Sequence, residues 1–164
     1  MAIQEPSTKP AKSFEREGQP PRLDAITLLV RDHRAVQQAL NDHQRCRDAA
    51  ERARLIRQVM LDLKRHEQAE ELAFWPFVAR ELPDGDRLAA ARQAEEGRAK
   101  RTMTELQAMS PGDRLWDDTV RTFISQVLTH ASHEEREVFQ KVRSSVHVER
   151  LMQLADEIEA AKAG

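Results

Sequence analysis

His66-Glu67-Gln68-Ala69-Glu70-Glu71-Leu72-Ala73-Phe74-Trp75-Pro76 and, further on, His130-Ala131-Ser132-His133-Glu134-Glu135-Arg136-Glu137-Val138-Phe139 share one spacing: a histidine followed four residues later by a glutamate. At 3.6 residues per turn, four residues bring side chains back to within about 40° of each other, so each His/Glu pair can point one way. Both pairs sit in apolar stripes, His66 between Leu63 and Ala73, His130 between Phe123, Val127 and Val138. His33 occupies the same kind of position, with Ile26 seven residues before it and Leu40 seven after. One such pair alone reads as a solvated i,i+4 contact. Three imidazoles on three apolar stripes read as a shared centre, because burying each without a common purpose costs desolvation three times. Other candidates stand nearby. Glu67 lies about 100° from His66, His133 about 60° from His130, and Glu135 about 140° from His130, so Glu135 needs a local bulge to join the set.

Outward from these motifs the chain reads as helices. Ile26, Leu29, Val30, Val36 and Leu40 recur at helical spacing and predict a first helix over 23–47, with Asp24 as a possible N-cap. A second is predicted over 49–82, with Leu55, Val59, Leu63, Ala73, Phe74 and Phe77 inward and a kink or end at Pro76. Pro83-Asp84-Gly85-Asp86 reads as a turn in which proline sets φ and glycine permits positive φ. A third helix follows over 87–109, the break Ser110-Pro111-Gly112-Asp113, a fourth helix over 114–143 with Leu115 and Phe123 inward, and a short terminal helix over 146–161. Four long helices with short connections imply antiparallel neighbours. The expected fold is all-α, an antiparallel up-down four-helix bundle with a short C-terminal helix, formed by residues 23–164. Residues 1–22, with Pro6, Pro10, Pro20 and Pro21 and little apolar surface, read as a disordered N-terminal arm.

Composition agrees. Charged residues make up 33% and aromatics 4% of the 164 residues, and there is no Tyr. Net charge is −2, which supplies no basic field for nucleic acid. The single Cys46 excludes an internal disulfide and suits a reducing compartment. No apolar run approaches a membrane span and no signal-peptide core is present, so a cytoplasmic protein with no nucleic-acid or membrane partner is expected. No nucleophile–base pair and no organic-cofactor motif stands out, so nothing marks a dedicated enzyme.

A buried carboxylate is unfavourable unless it is paired or bound to a metal. Iron accepts imidazole nitrogen and carboxylate oxygen together. Zinc and manganese are the alternative occupants.

The three quoted segments, with Asp24-Ala25-Ile26-Thr27-Leu28-Leu29-Val30-Arg31-Asp32-His33, resemble the hemerythrin-like (HHE) family, whose pattern is His, HxxxE, His, HxxxE. Phe74-Trp75-Pro76 is similar to the Phe-Tyr-Pro that often follows the family's first HxxxE. The resemblance spans about 23–143. It implies a four-helix bundle with a non-haem diiron centre and roles in oxygen binding, iron or redox sensing, or peroxide and nitric-oxide chemistry. A weak oxidase or peroxide-consuming activity falls within that range.

The chain departs from the pattern once: no histidine stands between His66 and His130. Reading back from Met109-Ser110-Pro111-Gly112-Asp113, the position expected for it falls on Glu96, which shares a helical face with Ala89, Ala99 and Met103. The resemblance thus implies the ligand set His33, His66, Glu70, Glu96, His130 and Glu134. More carboxylate and less imidazole favours ferric iron over reversible oxygen carriage, or leaves one metal position weak. The reading from another class is a metal-free or structural-metal bundle acting as an interaction or regulatory module. His43 and His147 read as surface residues, Cys46 as an ordinary thiol, Trp75 and Trp116 as core, and Arg92, Arg98, Lys100 and Arg101 as a solvated face.

Overall fold

Asp24 caps the first helix: the Thr27 backbone N–H donates to Asp24 Oδ1 at 2.9 Å. The computed structural model describes residues 22–164, so all of the expected N-terminal arm except Arg22 lies outside the described residues. From the cap, α1 (Ala25–Arg45) runs to a short break at Cys46. The second helix starts from Asp48, whose side chain accepts the Glu51 N–H. It is α2 (Ala49–Ala69), a π-helical turn (Glu70–Phe74) and then α3 (Trp75–Glu81). The third is α4 (Gly85–Ala108). The fourth is α5 (Trp116–His133), a second π turn (Glu134–Phe139) and α6 (Gln140–Ser145). The short terminal helix α7 (Val148–Ala163) follows. Among the described residues there is no strand.

The long helices pack as the short connections require. α1 lies along α2, α4 along α5, and α3 against α4, while α7 covers α1, α2 and the first π turn. Two apolar clusters fill the bundle. One joins Ile26 and Leu29 of α1, Phe74 and Phe77, Val138 and Phe139, and Leu154 and Ile158 of α7. The other joins Leu40, Ile56, Leu63, Trp116, Phe123 and Val127. Buried His66, Glu96, His130 and Glu134 fall between them in the sequence, and Glu70 lies just inside the first, one residue past Ala69. The two apolar halves therefore enclose a polar layer. Each fully buried leucine or isoleucine contributes roughly 1.5–3 kcal/mol, so Leu151, Leu154 and Ile158 are enough to keep α7 docked.

Several expectations change. The interruption in the second helix begins at Glu70, six residues before Pro76, and Pro76 lies in the first turn of α3. Proline removes an N–H, yet the second π turn contains none. What the two turns share is an HxxxE pair whose glutamate opens each turn, and π turns concentrate at functional sites. Gly85 is required for space rather than for positive φ: a Cβ there would lie 2.0 Å from the Val78 carbonyl oxygen. Leu115 is exposed, because the fourth helix starts one residue after it. Leu55 is half-buried, and Ile56 takes the inward position. His43 is buried near Arg52 and Asp117 rather than on the surface, with neither ring nitrogen hydrogen-bonded. Arg92 is buried and pairs with Glu95 and Glu137, so the expected solvated face holds only for Arg98 and Arg101, with Lys100 partly covered beside Glu71 and Glu67. No described helix is long and apolar enough to cross a membrane.

Candidate metal centre

Each HxxxE pair spans the last α-helical turn before a π turn, with His66 and His130 in the last turn of one segment and Glu70 and Glu134 opening the next. The Glu70 N–H still reaches the His66 carbonyl, so the helical i,i+4 relation survives and both side chains point inward. Beyond them the π pattern closes i to i+5. Trp75 thereby lies over Glu70, its N–H on the Glu70 carbonyl.

The side chains form two groups of converging donor atoms. Ligand atoms of His33, His66, Glu70 and Glu134 lie within 4.8 Å of one another, and so do those of Glu70, Glu96 and His130. Glu70 belongs to both groups. Glu134 Oε2 lies 3.2 Å from His33 Nε2 and 3.7 Å from His130 Nε2, so it also faces both. His66 Nε2 is 3.1 Å from Glu70 Oε1 and 3.2 Å from His33 Nε2.

The histidine tautomers follow from their outer partners. His33 Nδ1 donates to Glu135 Oε1 at 2.8 Å. His66 Nδ1 donates to Asp32 Oδ2 at 3.2 Å, and His130 Nδ1 to Glu95 Oε2 at 3.3 Å. A carboxylate on Nδ1 leaves Nε2 as the lone-pair nitrogen, the arrangement found around metal-bound imidazoles. All three Nε2 atoms turn to the common centre. Both oxygens of Glu70 and of Glu134, Glu96 Oε2 and His130 Nε2 are buried without a hydrogen-bond partner. The close His66–Glu70 approach thus lacks hydrogen-bond geometry. Buried polar atoms are paired in the great majority of cases, so this concentration of lone pairs requires a cation or protons.

The electrostatics agree. Burial pushes the Glu96 carboxyl up to about 9, with Glu70 adding to the rise. Burial also raises Glu70, and facing Glu134 raises it further. Burial opposes a charged His33, but Glu134 and Glu135 outweigh it and lift the ring to about 9. His66 is raised too, burial being overcome by Glu70 and Asp32. His130, by contrast, is lowered by burial despite Glu70 and Glu95. Like charges crowd together, and positive charge is drawn in.

The two halves repeat. His66 and His130 are 64 residues apart, as are Glu70 and Glu134, and Trp75 and Phe139, while His33 and Glu96, and Asp32 and Glu95, are 63 apart. Glu96 therefore occupies on α4 the position that His33 holds on α1. Phe139 stacks on the His33 ring at 5.7 Å, and Trp75 donates its indole N–H to Glu96 Oε1 at 2.7 Å. A cavity of about 290 Å³, walled by Val36, Leu63, Val127 and Leu128, opens onto His33, His66 and His130. A water molecule's share of liquid volume is about 30 Å³, so the cavity has room for small molecules beside the three imidazoles.

Comparison with known proteins gives the family. The family model of the hemerythrin HHE cation-binding domain matches residues 24–142. The chain belongs to that family. The HHE chain is also similar to a crystal structure of a hemerythrin HHE cation-binding domain-containing protein from Mycobacterium kansasii, with a TM-score of 0.75 and 17% identity over 86% of each chain, a likeness of fold. It is 29% identical over 136 residues to a protein of Nostoc sp. named DNA nickase, covering 83% of this chain but only 38% of that one.

Within the HHE domain, the residues named from sequence divide clearly. His33, His66, Glu70, Glu96, His130 and Glu134 converge. Glu135 does meet a bulge, the second π turn, but turns to the outer nitrogen of His33 rather than to the centre. His133 donates to Glu95 Oε1 at 2.8 Å and lies outside the centre. Glu67 is buried beside Lys100 and pushed up to about 7 by burial. Asp32 and Glu95 escaped notice. Their signal was present: each is acidic and stands one residue before an inward ligand candidate, His33 or Glu96.

Proposed function

We propose that this HHE domain, residues 23–164, holds two iron ions and binds or responds to oxygen or a small oxidant such as peroxide or nitric oxide, in the cytoplasm. One observation carries the reading: three imidazoles with carboxylates on Nδ1 aim Nε2 at the unpartnered oxygens of Glu70 and Glu134. His33, His66, Glu70 and Glu134 would hold one ion, and Glu70, Glu96 and His130 the other, with Glu70 common to both groups and Glu134 facing His130 as well as His33. The donor set fits, because iron takes imidazole and carboxylate together. When bound, iron supplies one-electron and oxygen chemistry. The chain's own groups orient the imidazoles through Asp32, Glu95 and Glu135, and the cavity beside His33, His66 and His130 leaves room for a small molecule next to them.

The two positions are unequal, since one has two imidazoles and the other a single imidazole with Glu96. The carboxylate-rich position suits a harder ion, ferric iron or manganese. Absorption spectroscopy of aerobically purified protein, with iron measured on the same sample, tests the reading. Oxo-bridged ferric bands with about two irons per chain are expected. A colourless protein without iron after supplementation would overturn it in favour of a metal-free or zinc-holding interaction module.

A further inference from the structure

The outer carboxylate of His66 has a second partner. Lys162, the penultimate residue of α7, places Nζ on Asp32 Oδ2, the oxygen that accepts the His66 Nδ1–H. Lys162 and Asp32 are each only 22% exposed at the side chain, so their attraction is screened less than a surface pair's. Asp62 and Arg65 line the same small cleft. In the other half Glu95 accepts from His130 at Oε2 and lies 3.4 Å from the Arg92 guanidinium through Oε1, so there the cation and the imidazole use different oxygens. Lys162 differs in origin. It comes from a helix beyond the residues matched by the family model, held down by Leu151, Leu154 and Ile158.

We propose that Lys162 is a positioning residue for His66: by sharing Asp32 Oδ2 it limits the electron donation of Asp32 into the imidazole and so sets the reduction potential of the metal held at Nε2. This rests on the iron reading above. A carboxylate on Nδ1 raises the basicity of the ligating ring. An ammonium on the same oxygen draws that charge away. This disfavours the more positive ferric state. Removing the ammonium therefore favours ferric iron.

The test is a redox titration of the iron-loaded full chain. Lys162→Met, similar in length but neutral, should favour the ferric state about tenfold, the lower end of what outer partners exert on metal affinity, equal to about 59 mV lower for a one-electron couple. Lys162→Arg should stay near wild type. In an Asp32→Asn background the Lys162→Met shift should shrink severalfold, which a merely structural role of Lys162 would not produce. Apo melting of Lys162→Met should match wild type, showing α7 still docked. An unchanged or raised potential, or a shift undiminished in Asp32→Asn, overturns the inference while leaving the iron reading intact. A wild-type chain that takes up no iron overturns both.

Discussion

The Trp75 indole N–H lies 2.7 Å from Glu96 Oε1, a buried contact between two residues 21 apart in sequence. It leaves Glu96 Oε2 without a partner, while Oε1, the atom on the indole, also lies 4.0 Å from His130 Nε2. The contact depends on the first π turn, which brings Trp75 over Glu70 instead of a further 100° per residue around an α-helix.

Trp75→Phe should keep most of the apolar filling and remove the donor. Leaving a buried acceptor unpaired costs about 1–3 kcal/mol, and Glu96 loses its fixed orientation. Thermal melting should show that loss, and iron analysis should show weaker occupancy of the Glu96 position. Full occupancy would mean that the indole does not hold the carboxylate.

Glu96→Gln isolates charge from shape. Glu96 is pushed up to about 9, so near neutral pH the apo protein already holds it protonated. The amide can still accept from Trp75, and apo stability should stay within about 0.5 kcal/mol of wild type. Iron per chain should fall toward one, as it should in Glu96→Ala. Glu96→His should restore two irons with a changed spectrum. Two irons in Glu96→Ala would strike Glu96 from the ligands.

Glu135→Gln removes the anionic partner of His33 Nδ1 but not a centre ligand. Outer-partner losses of this kind cost about 10–100-fold in metal affinity. Competition with a chelator measures this, and wild-type affinity would deny Glu135 its orienting role.

The apo protein should lose stability as pH rises from about 7 to about 9. Glu96 rises from 4.5 to about 9 and His33 from 6.5 to about 9, so the folded state favours their protonated forms. Stability from such groups is complete below the unfolded pKa and is lost as pH climbs through the folded one. Glu67, raised to about 7, adds loss at the lower end. Metal binding requires the deprotonated forms, so the stabilisation by iron should widen over the same range. At iron about 100 times Kd that stabilisation is about 2.7 kcal/mol. Apo melting temperatures that climb from pH 7 to 9 would contradict this.

Much of this was legible in the chain by itself. The spacing of His66 to Glu70 and His130 to Glu134 within apolar stripes is a local property, because helical periodicity alone decides which side chains share a face. The Asp24 cap and the breaks at 83–86 and 110–113 are equally local. Tertiary packing decided the rest. Whether Glu135 faced a metal or an outer nitrogen depended on a π turn that no periodicity announces. His43 and Arg92 are polar residues whose burial follows from which helices lie beside them, not from their own stripes. The pairing of Asp32 with both His66 and Lys162 joins residues 130 apart in sequence. Contacts of that kind are chosen by the docking of α7 onto α1, since the free energy that positions them comes from burying Leu154 and Ile158 rather than from the paired charges themselves.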